Sequence, residues 1–182
     1  MEKNVAMIAL FAALIAVLGL VPKITLGFGV PITAQGMGIM LCGTILGARR
    51  GALAVLLFLL LVALGLPLLA GGRGGLGAFV SPTAGFLFGF PIAAFVTGLI
   101  VEKWRSVPLV VAASVASIVG GGGVLYVFGV LGMALVLSKT YVEAALLVTV
   151  FIPGDAIKAV LAGLLTTGLA RARPSSVLAR AG

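Results

Sequence analysis

The segment FIPGDAIK, residues Phe151 to Lys158, places a carboxylate and an ammonium in a chain that is otherwise rich in apolar residues. Pro153 cannot continue a helix from before it but suits the first turn of a new one, so we expect a helix from there to about Ala170. Asp155 then lies in the first turn, where its charge faces the unpaired N–H groups and the positive dipole end. Lys158 lies three residues on, on the same helix face.

This pair of charges has two interpretations. Asp155 and Lys158 form an internal ion pair that only stabilises the fold, or they bind a ligand together. Removing two charges from water costs more than their attraction usually returns, and ionisable groups within membrane segments usually mark a ligand or ion pathway. A ligand that offers N–H donors to Asp155 and a carboxylate to Lys158 satisfies both groups, so we favour a binding site.

The composition indicates an integral membrane protein, because 62% of the 182 residues are hydrophobic and only 9% are charged. The net charge of +8 does not predict nucleic-acid binding, since basic residues also collect at the cytoplasmic ends of membrane helices. The sequence has no histidine, and Cys42 is its single cysteine, so we expect no metal held by histidine or by a cysteine cluster, no intrachain disulfide and no Ser/His/Asp triad. We expect neither an enzyme nor a cofactor.

Apolar runs predict an all-α bundle of six transmembrane helices in one domain over residues 1–182. Runs of some 18 residues are long enough, at ~1.5 Å per residue, to cross most of a ~30 Å hydrocarbon core. Thr140 and Glu143 have the spacing of a capping box and predict a short interfacial helix, Tyr141 to Val150, before the last span. The expected spans cover residues 4–21, 33–48, 51–70, 84–101, 107–134 and 153–170.

The basic residues predict the orientation of this bundle. Three of them, Lys23, Arg73 and Lys139, fall on one side of the six spans. Eight fall on the other side: Lys3, Arg49, Arg50, Lys103, Arg105, Arg171, Arg173 and Arg180. The positive-inside rule makes the side with eight cytoplasmic, so both termini are expected in the cytoplasm and the Asp155 helix start at the extracytoplasmic face.

Polar and aromatic residues near that face predict a small-molecule pocket under the Gly/Pro-rich loops. Gln35 lies near the start of the second span, where it binds an amide-like group of a ligand or, as the alternative, is simply solvated at a helix end. Arg73 is the single charge of the loop AGGRGGLG, residues 70–77, and the alternative is again a solvated side chain. Beside Asp155 and Lys158, the candidate substrate-binding residues are Arg73, Gln35, Tyr126, Phe28 and Phe79.

Small residues recur four apart in the first span, as Ala9 with Ala13 and Ala12 with Ala16. This spacing makes a flat stripe on which another helix lies closely. The stripe packs against the helices of this chain or against a partner, and the spacing alone does not decide between them.

Five motifs together resemble the BioY family, the biotin-specific S components, or substrate-binding subunits, of energy-coupling factor transporters. The resemblance covers nearly the whole chain in order. The motifs are VPITAQ (30–35), GARRGAL (47–53), LPLLAGGRGGLG (66–77), SPTAGF (81–86) and FIPGDAIK (151–158).

The resemblance implies a six-helix protein of a prokaryotic cell membrane that captures biotin from outside. Its implied partners are a transmembrane coupling subunit and two ATPases, which fits the absence of a Walker A motif from this sequence. It also implies that the small-residue stripe, Ala9/Ala13 or Ala12/Ala16, docks the coupling subunit. Biotin's two ureido N–H groups, apolar thioether ring and carboxylate tail match the polar and apolar groups expected of the pocket.

A self-sufficient secondary transporter or facilitator for biotin or another small carboxylate is the alternative. The two halves of the chain lack the paired broken helices that often indicate such carriers. Uptake by the chain alone, tested against a proton or sodium gradient, distinguishes the two functions.

Overall fold

The structure, a computed structural model, describes residues 2–24, 27 and 30–180. In this part of the chain six helical segments form the bundle, and the all-α architecture expected from the apolar runs is confirmed. The first four segments are single helices: α1 (Glu2–Leu18), α2 (Gln35–Leu46), α3 (Ala48–Ala63) and α4 (Ala84–Lys103).

The last two segments are composite. A π-helical stretch, Ile118–Val124, joins α5 (Leu109–Ser117) to α6 (Leu125–Val136). A 3₁₀ turn, Thr149–Phe151, joins α7 (Tyr141–Val148) to α8 (Ile152–Ala172). Within the described residues, α4 and these two composite segments are long and apolar enough to cross a membrane, whereas α2 is a shorter apolar helix.

Local sequence explains where α7 and α8 begin. The Thr140 hydroxyl accepts a hydrogen bond from the Glu143 N–H, and the Glu143 carboxylate accepts one from the Thr140 N–H at 2.8 Å, which completes the expected capping box. Pro153 lies in the first turn of α8, where its missing N–H has no intrahelical partner to lose. The short helix before the last segment is therefore present, and it continues into α8 without a loop.

Helix α4 lies at the centre of the bundle and packs against α2, α3, α5 and α6. Glycines permit this close packing: a Cβ at Gly43 of α2 would meet the Ala94 carbonyl oxygen at 2.6 Å, and a Cβ at Gly120 would meet the Ala93 carbonyl oxygen at 2.7 Å. Outward-facing positions are mostly apolar, as Leu53 and Leu60 of α3, both more than half exposed, illustrate. A surface of this kind suits lipid contact.

The two ends of the bundle differ. At one end, the C-terminal segment lies across the ends of α2 and α4. The Ala179 N–H donates to the Ile45 carbonyl oxygen (3.0 Å), and Arg180 Nη2 donates to the Trp104 carbonyl oxygen (2.8 Å). Lys3 Nζ donates to the Ser175 carbonyl oxygen of the same segment (2.7 Å). The start of α2, the 64–83 loop and the start of α8 meet at the opposite end.

Candidate functional site

A cavity opens at the end of the bundle where α2 and α8 begin. The space between its walls is about 590 Å³, open solvent at the mouth included. Its walls come from five parts of the chain, namely residues 30–36 up to the start of α2, the 64–83 loop, α4, α6, and the 3₁₀ turn together with the start of α8. The polar residues in its walls are Thr33, Gln35, Arg73, Thr83, Asp155 and Lys158. The structure thus brings together four of the seven candidate substrate-binding residues.

Asp155 is held from two sides. Lys158 Nζ donates to Asp155 Oδ1 at 2.8 Å, and the Tyr126 hydroxyl donates to Asp155 Oδ2 at 2.7 Å. The side chains of Lys158 and Asp155 are only 17% and 14% exposed. The internal ion pair therefore forms, yet each carboxylate oxygen keeps a lone pair and the ammonium keeps further N–H groups for a ligand.

Arg73 reaches the cavity from a glycine-rich turn. Its Nη1 donates to Thr83 Oγ1 at 3.3 Å, and its Nε donates to the Ala70 carbonyl oxygen at 3.5 Å. The Ser81 hydroxyl lies 2.8 Å from that of Thr83 and belongs to the same polar group. Partial burial lowers the pKa of Arg73, but its ordinary value is so far above neutrality that the guanidinium stays charged.

Gln35 lies in the cavity wall, but its amide bonds the backbone of this chain. Its Nε2 donates to the carbonyl oxygens of Ile15 (3.1 Å) and Leu68 (3.0 Å), and its Oε1 accepts from the Ala70 N–H (3.0 Å). The residue is 3% exposed. Both amide N–H groups are therefore occupied, and any contact of Gln35 with a ligand has to compete with them.

Of the three aromatic candidates, the structure describes Tyr126 and Phe79, and neither is among the residues of the cavity walls. Tyr126 lies behind Asp155, between the cavity and an apolar groove that the π-helical stretch and the start of α8 border on the outer surface. The Phe79 ring lies 5.9 Å from that of Phe88 and does not contribute to the cavity walls described here. Phe28 lies outside the described residues.

Among the described residues, the aromatic side chains in the cavity walls are Phe86, Phe90 and Phe151. The rings of Phe86 and Phe151 meet edge to face, with centroids 6.0 Å apart. A signal for these residues exists in the sequence, because Phe86 and Phe90 are four apart on one helix face and Phe151 lies two residues before the Pro-Gly-Asp motif at 153–155. Helix phase relative to the cavity decides which phenylalanine faces inward, and sequence spacing does not supply that phase.

The small-residue stripes of α1 separate into an outer and an inner one. Ala9 and Ala13 are exposed on the outer surface of the bundle. Ala12 is 3% exposed and belongs to the core, and Ala16 is partly buried against it. Only the Ala9/Ala13 stripe is therefore accessible to another protein.

Comparisons with known proteins agree with one another. The model of the BioY family matches residues 2–175. The biotin transporter BioY of Rhodobacter capsulatus is 54% identical over 99% of this chain and its own full length, and that of Rhizobium etli is 52% identical over 90% of each chain. A crystal structure of the S component for biotin from an ECF-type ABC transporter aligns with a TM-score of 0.88 and 31% identity, covering 93% of this chain and 92% of the other.

Proposed function

Because the chain belongs to the BioY family, we propose that it is the biotin-binding S component of an energy-coupling factor transporter in a prokaryotic cell membrane. The chain captures biotin and passes it on for ATP-driven import. The observation that carries this function is the cavity itself, in which an Asp155–Lys158 pair and a separate arginine face an apolar, phenylalanine-lined space. Such a combination suits a mostly apolar ligand with polar groups at its two ends.

The contact between Asp155 and Lys158 suggests how biotin is oriented. Groups 2.8 Å apart meet the same end of an extended ligand, and an aliphatic tail separates the ureido group of biotin from its carboxylate. We therefore propose that both residues bind the ureido group, with Asp155 accepting from its N–H and Lys158 donating to its carbonyl oxygen. This assignment replaces the expectation that Lys158 binds the carboxylate.

Arg73 is then the cation for the carboxylate tail. Its guanidinium lies in the same cavity as Lys158 but comes from the 64–83 loop, on a different wall. A charged hydrogen bond from arginine to carboxylate is about twice as strong as a neutral one. Phe86, Phe90 and Phe151 provide the apolar surface between the two polar ends.

The proposed partners are a transmembrane coupling subunit and two ATPase subunits. The exposed Ala9/Ala13 stripe of α1 supports docking of the coupling subunit there, because small residues let two helices approach closely. We further propose that the described helical segments form a single membrane domain with both termini in the cytoplasm. The gathering of Lys3, Arg180 and the turn after α4 at one end of the bundle supports this orientation.

Uptake of labelled biotin tests this function. The chain is produced in a bacterium that lacks biotin import, alone and together with a coupling subunit and its ATPases. We expect uptake that depends on the complete set and is lost when the ATPases carry inactive Walker A motifs. Uptake by the chain alone, driven by a proton or sodium gradient, would instead establish a self-sufficient transporter.

A further inference from the structure

The turn that carries Arg73 is held through Leu69. The Leu69 N–H donates to the Arg73 carbonyl oxygen at 2.9 Å, and the Arg73 N–H donates to the Leu69 carbonyl oxygen at 3.2 Å. Between them, Gly71 and Gly72 have φ angles of +82° and +70°, in the left-handed region that glycine adopts without strain. The position of the Arg73 backbone is therefore set by the position of Leu69.

The Gln35 side chain forms hydrogen bonds to the backbone on both sides of Leu69. Its Nε2 binds the carbonyl oxygen of Leu68, and its Oε1 binds the N–H of Ala70. Its second N–H binds the Ile15 carbonyl oxygen near the end of α1. One buried side chain therefore joins the start of α2, the end of α1 and the turn that carries Arg73.

Gly19 supports the same junction by its small size. A Cβ at this position would collide with the Leu68 carbonyl oxygen and would lie 2.9 Å from Gln35 Nε2. Gly19 itself is buried just after α1. The end of α1 thus approaches the Arg73 turn closely enough for the Gln35 bonds only because residue 19 has no side chain.

We propose that Gln35 is a positioning residue that, through the backbone of Leu69, fixes the Arg73 guanidinium at the cavity wall and so sets the preference for a carboxylate-bearing ligand. This inference rests on the proposed function, since it takes the carboxylate end of biotin as the group that Arg73 binds. Gln35 itself need not touch the ligand. Its effect on affinity passes through Arg73.

A double-mutant cycle tests this dependence. Gln35→Leu and Arg73→Ala are made singly and together in the full chain, and the affinities for biotin and for biotin amide are measured by titration. We expect each single variant to lose about tenfold or more for biotin, the scale of a charged hydrogen bond, and little for the amide. The double variant should bind biotin within about twofold of Arg73→Ala alone, because residues that act through one another are not additive.

Additive losses in the double variant would overturn the proposal and assign Gln35 a ligand contact of its own. Unchanged biotin affinity in Gln35→Leu would overturn it as well. Because Gln35→Leu removes three buried hydrogen bonds and can unfold, Gly19→Ala serves as a second variant, which displaces the Leu68 carbonyl but keeps the Gln35 amide. It should show the same selective loss for biotin.

Gly77→Ala is the matched control, because a Cβ there meets nothing within 4 Å and lies near the same turn. It should leave both affinities unchanged.

Hydrogen exchange separates failure of this inference from failure of the proposed function, since it needs no biotin. In Gln35→Leu, the amides of Leu69, Gly72 and Arg73 should exchange faster, although each keeps its own bonding partner within the turn. The amides of α7, which packs against α6, should exchange as in the unchanged chain. Protection of the turn that does not depend on Gln35 would show that other contacts position Arg73.

Discussion

At the scale of single residues, the site depends on Asp155, whose two carboxylate oxygens are bound by different parts of the chain. The Lys158 contact is readable from the sequence, because residues three apart in a helix are neighbours. The Tyr126 contact is not, because it joins residues 29 positions apart in sequence. The π-helical stretch before Tyr126 also changes the helix phase, so counting along an ideal helix from α5 does not predict where its hydroxyl points.

Tyr126→Phe removes only the hydroxyl that orients Asp155. Asp155 Oδ2 then loses its bond from Tyr126, and a hydrogen bond to a charged group contributes about 1.5–3 kcal/mol, so we expect biotin affinity to fall by roughly tenfold or more. The loss should be equal for biotin and biotin amide, because Asp155 meets the ureido end. Titration of both ligands measures it.

Tyr141→Phe is the control for this change, since Tyr141 is the other tyrosine of the chain and is 63% exposed. It should bind biotin normally. A Tyr126→Phe variant with unchanged affinity would show that the Tyr126 hydroxyl does not orient Asp155 for binding.

Replacing Lys158 and replacing Arg73 should have different effects on the affinities for biotin and biotin amide. Lys158→Met should weaken biotin and biotin amide alike, whereas Arg73→Ala should weaken biotin by about tenfold or more and leave the amide nearly unchanged. The Lys158 variant also removes the cation that pairs with Asp155. Its thermal unfolding in detergent is therefore first compared with that of the unchanged chain. A Lys158 variant that loses more affinity for biotin than for the amide would show that Lys158 binds the carboxylate of biotin.

At the scale of helices, local sequence signals predict where a helix begins better than they predict which of its faces is buried. Thr140, Glu143 and Pro153 carry local signals for the starts of α7 and α8, and helices begin at those places. The four glycines at 120–123 indicate only that a close approach or a bend is possible there, and a π-helical stretch results. The stripes of α1 are equivalent in sequence, and only packing against the bundle buries Ala12 and leaves Ala13 exposed.

Ala13→Leu on the outer face of α1 should impair transport without impairing binding. The larger side chain stands where the coupling subunit is proposed to dock, so we expect uptake with the complete module to fall several-fold while biotin affinity of the purified chain stays within about twofold. Ala12→Leu is the matched inner variant. It overpacks the core, at a cost of typically 1–3 kcal/mol, and should lower thermal stability instead.

Normal uptake by Ala13→Leu would place the coupling subunit elsewhere. Loss of binding in the same variant would show that this stripe serves packing within the chain.

At the scale of the whole molecule, composition alone predicts an all-α membrane bundle, since little else accommodates so many apolar and so few charged residues. The cavity wall is less predictable, because it combines residues from five separate parts of the chain. Asp155, Lys158 and Arg73 stand out as charges in apolar surroundings, and they do lie in its walls. Phe79 belongs to the loop beside the cavity, but a position in a loop does not predict the direction of the ring.

The bundle also separates its tasks between its ends. The cavity lies where α2 and α8 begin. At the other end, Ala179 and Arg180 of the C-terminal segment form hydrogen bonds to the ends of α2 and α4. The Ala9/Ala13 stripe lies along the outside of α1. The proposed sites of ligand capture and partner docking therefore lie on different surfaces, so variants can test them separately.

The most direct test of the account is a titration of the purified, detergent-solubilised chain with labelled biotin, in competition with desthiobiotin, biotin amide and an unrelated vitamin. We predict saturable binding of labelled biotin that desthiobiotin displaces and that the unrelated vitamin leaves intact. Biotin amide should displace it more weakly than biotin does, because the amide offers Arg73 no carboxylate. No saturable binding of biotin by demonstrably folded protein would contradict the central claim that this cavity captures biotin.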